Sequence, residues 1–283
     1  MGKLQDIYPQ MVALAEKFSG RVSFTFWDTT AGERVDYSEN QIMPTASVIK
    51  IYALGTVFHL VEQGKLSLDD ELEVTKDLQV GGSGVLKLFT PGLKIRVRDL
   101  LILMIAVSDN SATNIVIDHC CNGLDTINQY IESLGLKDTK FGTRVEFRDE
   151  FLLHPEGFGY TTSAEVVDYL YRVRHSHLYN EENTKEFMRY LCSQQFLDQI
   201  PRWLPYDPYA RDLNGRDPDV QVANKTGMMA GVRADVGYLW RNGHEIVYGA
   251  FSDRCADKSF FSENEGTLVI AQLGKLAYDS VLA

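Results

Sequence analysis

The chain has few cysteines, few basic residues and no long apolar run. Its four cysteines, two of them adjacent, are too few for a disulfide framework and predict free thiols. No run of about 18 apolar residues is available to span a bilayer, so we expect no membrane association. Lysine and arginine number 28 against 39 acidic residues, and the formal charge of −11 repels polyanions. Nucleic acid is therefore not an expected partner.

Potential metal ligands are also not grouped in the sequence. His119, Cys120 and Cys121 are consecutive, and neighbouring positions on a helix point about 100° apart. No second pair lies at the spacing of a zinc site. The sequence therefore predicts no metal and no other cofactor.

The first residues carry no apolar core and no small-residue cleavage site of a secretory signal. If the N-terminus is native, we expect a cytoplasmic protein. The alternative is a secreted or periplasmic protein whose signal has been removed.

Apolar periodicity predicts a sheet formed by the two ends of the chain and helices in between. Strand patterns occur at 21–28, 34–37, 220–224, 232–240 and 245–251. Helical patterns occur at 4–18, 47–63, 97–107, 112–119, 124–134, 163–174, 184–192 and 264–281. We predict an α/β (α+β) fold in one domain. An antiparallel sheet flanked by the terminal helices (about 1–43 and 211–283) would carry an inserted all-α subdomain (about 44–210).

Three short motifs occur in chain order: Ser47-Val48-Ile49-Lys50, Ser108-Asp109-Asn110 and Lys225-Thr226-Gly227. With average residue usage, S-x-x-K arises about once in a chain of this size, whereas S-D-N and K-T-G arise in roughly 4% and 6% of chains. All three in this order are a coincidence on the order of one in a thousand. We therefore interpret them as parts of one site.

The first motif predicts a nucleophile beside a base. Ser47 opens a nearly all-apolar helical segment, where free N–H groups and the positive end of the helix dipole face an incoming anion. Lys50 follows one turn later on the same face. A buried lysine near a second cation is readily pushed towards neutrality, so Lys50 can accept the Ser47 proton directly or through water.

The other two motifs predict groups that position a substrate. The triplet at 108–110 interrupts a helical pattern, so Ser108 and Asn110 can point into a cleft while Asp109 holds the backbone. The triplet at 225–227 ends a strand-like run. Its lysine and threonine suit an anion, and its glycine lets a substrate lie along the strand edge.

These segments resemble the class A β-lactamases and related penicillin-binding serine hydrolases, from about residue 20 to the C-terminus. TASVIK, VRDLLILMIAVSDNSATN, ANKTG and VRADVGYL carry the resemblance. The family implies a β-lactamase/transpeptidase-like fold with the site between its two subdomains. It also implies hydrolysis of a small β-lactam or peptidoglycan-like substrate, and we expect the protein to act as a monomer.

The resemblance implies a role for each matching residue. Ser47 would be acylated, and Lys50 and Ser108 would move protons. Asn110 would hold the substrate amide, and the backbone N–H groups of Ser47 and Met228 would form the oxyanion hole. The substrate-binding residues implied in this way are Asn110, Lys225, Thr226, Gly227, Met228 and Arg233.

The deacylating glutamate of class A enzymes lies in an R-x-E segment that ends with an asparagine. Here two frames overlap, with Glu146 and Glu150 as the glutamates, and neither has an asparagine four residues later. Spacing to the helix start at 161–162 favours Glu146, whereas the Leu-Leu that follows favours Glu150. We take Glu146 as the catalytic residue and Glu150 as its alternative.

Two other functions fit the same framework. If neither glutamate activates water, the acyl-enzyme persists, as in a penicillin-binding D-alanyl peptidase, or the protein is a carboxylesterase. A non-catalytic protein that binds a β-lactam or peptidoglycan fragment would require the loss of Ser47, Lys50 or Lys225. All three are present, and β-lactam hydrolysis is the expected function.

Overall fold

The structure is a computed structural model that describes residues 2–146, 157–175 and 178–283. Its strands are β1 (Arg21–Asp28), β2 (Glu33–Tyr37), β3 (Met43–Pro44), β4 (Glu71–Val74), β5 (Leu93–Arg96), β6 (Lys140–Phe141), β7 (Gly159–Thr161), β8 (Gln221–Met229), β9 (Val232–Arg241) and β10 (His244–Asp253). Its α-helices are α1 (Leu4–Lys17), α2 (Lys50–Glu62), α3 (Val97–Ala106), α4 (Asn110–Ile115), α5 (Leu124–Ser133), α6 (Ser163–His175), α7 (Glu181–Cys192), α8 (Ala210–Asn214) and α9 (Glu265–Ala277). None of the helices described is long and apolar enough to span a bilayer.

The main sheet joins the two ends of the chain. Its five strands are antiparallel in the order β2-β1-β10-β9-β8, so β8 is an edge strand. The central pairing places Arg21 opposite Asp253, 232 residues later in the sequence. The predicted antiparallel sheet is therefore confirmed, and its strands come from both sides of the helical segment.

Each face of this sheet is covered by a separate apolar cluster. On one face, Leu4 and Met11 of α1 and Ile270 of α9 pack in one cluster with Phe24 and Ile246. The terminal helices predicted to flank the sheet therefore lie on the same face of it. The opposite face contributes side chains from β8, β9 and β10 to the larger cluster, which is built mainly from helices. Successive residues of a strand point to opposite faces, and apolar residues occupy both faces of this sheet. The sheet is therefore the middle layer of the fold.

Helix α2 lies at the centre of the helical layer. Every residue from Lys50 to Phe58 is buried, which agrees with the predicted buried helix and with its apolar sequence on all sides. The helix begins three residues later than expected, because Ala46–Ile49 form a tighter 3₁₀ turn before it.

The sequence did not predict every element. The short strands β3–β7 were missed because runs of two to four residues give little periodic signal. Strand β8 also extends through Gly227 to Met229, although the motif at 225–227 was expected to end it. Pairing of Gly227 with Ala234 and Met229 with Val232 keeps the strand regular despite the glycine.

Candidate active site

Ser47 lies in the 3₁₀ turn that leads into α2. Its side chain is half-buried, whereas Ala46 and Val48 on either side of it are buried. Ala46 has a positive φ of 43°, an unusual conformation for a residue other than glycine. Such strain persists only where the surroundings impose it, and it is found preferentially at functional sites.

Lys50 joins the first and second motifs by hydrogen bonds. Its ammonium nitrogen donates to the Ser108 carbonyl oxygen at 2.8 Å, to Ser108 Oγ at 3.2 Å and to Asn110 Oδ1 at 3.0 Å. The side chain is fully buried. The structure thus brings together two motifs that are about 60 residues apart in the sequence.

The third motif reaches the same hydroxyl group. Lys225 Nζ donates to Ser108 Oγ at 3.1 Å and to the Thr226 carbonyl oxygen at 2.8 Å. The Ser108 oxygen therefore accepts from both lysines. Because its two lone pairs are engaged, the hydrogen of the Ser108 hydroxyl is free to point at a third group.

Burial of the two lysines changes their protonation. Desolvation lowers the pKa of Lys50 well below its usual value, and the charge of Lys225 lowers it further, while Asp109 opposes both effects. Desolvation also lowers the pKa of Lys225 to about 7, against an opposing contribution from Asp235. When Lys50 is neutral, its nitrogen keeps two hydrogens for its three neighbours and has a lone pair that can accept a proton, whereas a cationic Lys225 can bind an anion.

Asp109 holds the second motif in place. It caps α4 by accepting from Ala112 N at 3.0 Å, and its other oxygen accepts from Val85 N at 2.6 Å and Leu86 N at 2.8 Å. Ser108 before it has a positive φ of 53°. The prediction that Asp109 holds the backbone is confirmed, and the bonds extend to the neighbouring loop around residues 81–86.

Gly227 allows the edge strand to approach the backbone at Ser47. A Cβ at this position would lie 2.4 Å from the Thr45 carbonyl oxygen and 3.2 Å from Ser47 N. Only glycine fits such a close approach of two backbones. Met228, the next residue, is half-buried at the same edge of the sheet, and Thr226 is buried.

Arg233 lies on β9 opposite Met228 and is 1% exposed. Its guanidinium donates to the carbonyl oxygens of Met229 (2.9 Å), Val232 (2.8 Å) and Ser259 (2.6 Å), and to Thr267 Oγ1 at 3.0 Å. These contacts favour a role in fixing the β8–β9 turn and the segment before α9, so we do not include Arg233 among the proposed carboxylate ligands.

The segment that carries Glu146 is attached to α4 by Asn114. The Asn114 side chain donates to the Val145 carbonyl oxygen at 3.0 Å and accepts from Val145 N at 2.9 Å. Asn114 follows Asn110 by four residues, so the two lie on one face of α4, about 6 Å apart along its axis. Val145, the residue before Glu146, is thereby held one helical turn from Asn110, while Glu150 lies outside the described residues.

Asn114 was not identified from the sequence. It stands in the segment SDNSATN, and its spacing from Asn110 was the available signal. A second unanticipated group is Asp235, which is buried beside the third motif. The histidine, cysteine, aspartate and glutamate side chains of the described residues form no group that could hold a metal ion.

Comparison with known proteins identifies the family. A model described as the beta-lactamase enzyme family matches residues 6–281. Beta-lactamase BRO-1 of Moraxella catarrhalis is 24% identical over 282 residues, which cover 98% of this chain and 83% of that protein.

Solved structures agree with this assignment. The beta-lactamase from Sphaerobacter thermophilus has a TM-score of 0.84 and 26% identity, covering 97% of this chain and 96% of that one. An ancestral class A beta-lactamase has a TM-score of 0.81 at 22% identity, covering 96% and 99%, which shows a shared fold. The resemblance and the fold class predicted from the sequence are both confirmed. The chain belongs to the beta-lactamase enzyme family and is a β-lactamase-like hydrolase with the class A fold.

Proposed function

We propose that this protein opens the β-lactam ring of a small substrate through an acyl-enzyme on Ser47. The observation that carries the proposal is the Ser108 hydroxyl held between Lys50 and Lys225, at 3.2 Å and 3.1 Å. This contact joins all three motifs in one hydrogen-bonded group.

Acylation begins with proton transfer from Ser47 to neutral Lys50, directly or through water. The Ser47 oxygen attacks the lactam carbonyl carbon, and the C–N bond of the resulting tetrahedral species breaks. The nitrogen receives the Ser108 hydroxyl proton, and Ser108 recovers a proton from the protonated Lys50. The transfers balance, and both lysine contacts hold the Ser108 oxygen in position for them.

Substrate binding uses the edge of β8 and the start of α4. The backbone N–H groups of Ser47 and Met228 would stabilise the negative oxygen of the tetrahedral species, an effect typically worth about 3 kcal/mol for each donor. Lys225 and Thr226 would bind the substrate carboxylate. Asn110 would donate to the carbonyl of the substrate's acyl amide.

Glu146 is our proposed base for deacylation. It would take a proton from the water that attacks the Ser47 ester and return it to the Ser47 oxygen as the product leaves. The attachment of Val145 to Asn114 supports this choice, because it ties the segment to the helix that carries Asn110.

Intact-mass spectrometry during turnover of a chromogenic cephalosporin tests the proposal. We expect a continuing absorbance change, with at most a transient adduct of one substrate mass on Ser47. A persistent adduct without turnover would instead indicate a penicillin-binding peptidase or esterase. Binding with no adduct and no turnover would contradict covalent catalysis.

Ser47→Ala should abolish both adduct and turnover. Ser262→Ala is the matched control, because Ser262 begins a similar S-E-N triplet and its hydroxyl contacts the exposed side chain of Glu263. Hydrolysis retained by Ser47→Ala would rule out the assigned nucleophile.

A further inference from the structure

Asp235 is a fully buried carboxyl group with no place in the proposed reaction. It accepts from Asn224 Nδ2 at 2.9 Å and from Tyr248 OH at 3.2 Å through Oδ1, and from Ile200 N at 3.0 Å through Oδ2. Burial of a carboxylate is costly unless hydrogen bonds or a nearby cation compensate it. Three donors supply part of that compensation.

The position of Asp235 is fixed relative to the third motif. It lies directly opposite Thr226 in the β8–β9 pairing, one residue from Lys225. Because successive residues of a strand point to opposite faces, Asp235 and Lys225 leave the sheet on opposite sides. The carboxyl group of Asp235 therefore lies on the face of the sheet opposite to the Lys225 side chain, away from the proposed reaction cleft.

The charged groups around Lys225 come from three elements. Lys50 lies on α2 and shares the Ser108 hydroxyl with Lys225, and Asp109, in the turn before α4, acts on Lys50. Asp235 on β9 is the acidic group that opposes the loss of charge on Lys225. Asp198, before the Ile200–Trp203 turn, acts in turn on Asp235.

We propose that Asp235 is a positioning residue that keeps Lys225 cationic for binding the substrate carboxylate, acting across the sheet from behind the strand. The proposal rests on the function proposed above in taking Lys225 as the carboxylate ligand. The charge on Asp235 itself is a property of the fold and does not depend on the substrate.

The carboxylate of Asp235 favours the charged form of Lys225 near neutral pH. Burial raises the pKa of Asp235 to about 7, and burial lowers the pKa of Lys225 to about 7. Below this pH, Asp235 is protonated and Lys225 is cationic without its help. As the pH rises through 7, Asp235 ionises and favours retention of the lysine charge. Removal of the Asp235 charge should therefore lower the cationic fraction of Lys225 mainly above pH 7.

Asp235→Asn tests the proposal with little change of shape. We would follow the ¹³Cε resonance of Lys225 through a pH titration of protein labelled in lysine, with Lys225→Arg to assign it. The titration should move to lower pH by about one unit in the variant. An unchanged titration would overturn the proposal, whether or not the protein is a β-lactamase.

Kinetic measurements then test whether the charge of Lys225 affects binding of the substrate. The alkaline limb of kcat/KM for an anionic cephalosporin should shift to lower pH in Asp235→Asn, mainly through KM, and the profiles should converge well below pH 7. Asp28→Asn is the matched control, since Asp28 is a buried aspartate of the same sheet that bonds only to its own turn and to His244 among the described residues. An equal shift in this control would show a structural effect and contradict the proposal.

Tyr248→Phe is the second variant for the Lys225 titration, to be used if Asp235→Asn does not fold. It removes one donor to the carboxylate without creating a cavity, which disfavours the charged form of Asp235. A smaller shift of the Lys225 titration in the same direction is expected, and no shift counts against the proposal. Absence of both turnover and a Ser47 adduct in the wild-type protein would contradict the proposed function and leave the Lys225 titration as an independent test.

Discussion

Burial of Lys50 favours the role of base that we propose for it. Its carbon chain and nitrogen are excluded from water, and its three acceptors all belong to the segment 108–110. Desolvation disfavours the charged form, and the cation at Lys225 adds to the effect. A lysine that would be charged on the surface is therefore able to accept a proton here.

Replacing Lys50 by methionine should slow acylation of Ser47 by about 10²–10⁴-fold, the usual contribution of a positioned base. In the wild type, the acylation rate should fall as the pH drops through the lowered pKa of Lys50, because the protonated amine cannot accept a proton. Stopped-flow measurement of adduct formation checks both effects. Lys65→Met, at an exposed position, should leave the rate unchanged.

Gly227 is restricted by sterics. Gly227→Ala would bring a methyl group to 2.4 Å from the Thr45 carbonyl oxygen, so β8 or the Ala46–Ile49 turn has to move. A displacement of about 1 Å at reacting groups can reduce the rate about 100-fold. We expect a loss of this size in kcat/KM with a smaller change in the melting temperature. Wild-type kinetics in this variant would show that the close approach has no catalytic role.

At the scale of elements, α4 connects the two halves of the proposed reaction. Its first residue, Asn110, contacts Lys50, and Asn114 one turn later binds both backbone groups of Val145. The residues proposed for acylation and the segment proposed for deacylation are therefore both held by one short helix. Arg144 adds an ion pair to Asp118 at 2.9 Å, just after this helix.

Asn114→Ala should separate deacylation from acylation. It releases Val145 and the adjacent Glu146 but leaves the lysine cluster, so the acyl-enzyme should accumulate while the acylation rate changes little. Asn128→Ala is a matched control, because Asn128 of α5 holds both backbone groups of Phe141 at 2.9 Å in the same manner. If both variants deacylate at the wild-type rate, the proposed role of the Val145 attachment is wrong.

The elements also show what the sequence could predict. Most helices and the strands of the main sheet were found because their apolar patterns extend over about five residues or more, as in β1 and α2. The end of β8 was misplaced because glycine usually weakens a strand, whereas here pairing with β9 carries it past Gly227. Asn114 and Asp235 were missed because their partners are distant in sequence.

At the scale of the whole molecule, the motifs meet because the Ala46–Ile49 turn, which leads into α2, packs against strand β8 of the sheet. The S-x-x-K, S-D-N and K-T-G motifs predicted which residues approach one another, because their interpretation as parts of one site requires them to lie close together. Arg233 differs, because the sequence does not distinguish a strand arginine that binds an anion from one that binds backbone carbonyl groups. Its three carbonyl acceptors and one hydroxyl acceptor are seen only in the fold.

The central pairing of β1 with β10 also bears on the order in which the chain can fold. Arg21 meets Asp253 across a loop of 232 residues, and closing so long a loop is slow because its entropy is lost before the pairing rewards it. During synthesis, Ser47, Lys50 and Ser108 leave the ribosome well before Lys225. A nascent chain therefore contains the proposed nucleophile before it contains the second lysine, and the cluster is completed only when the last three strands close the sheet.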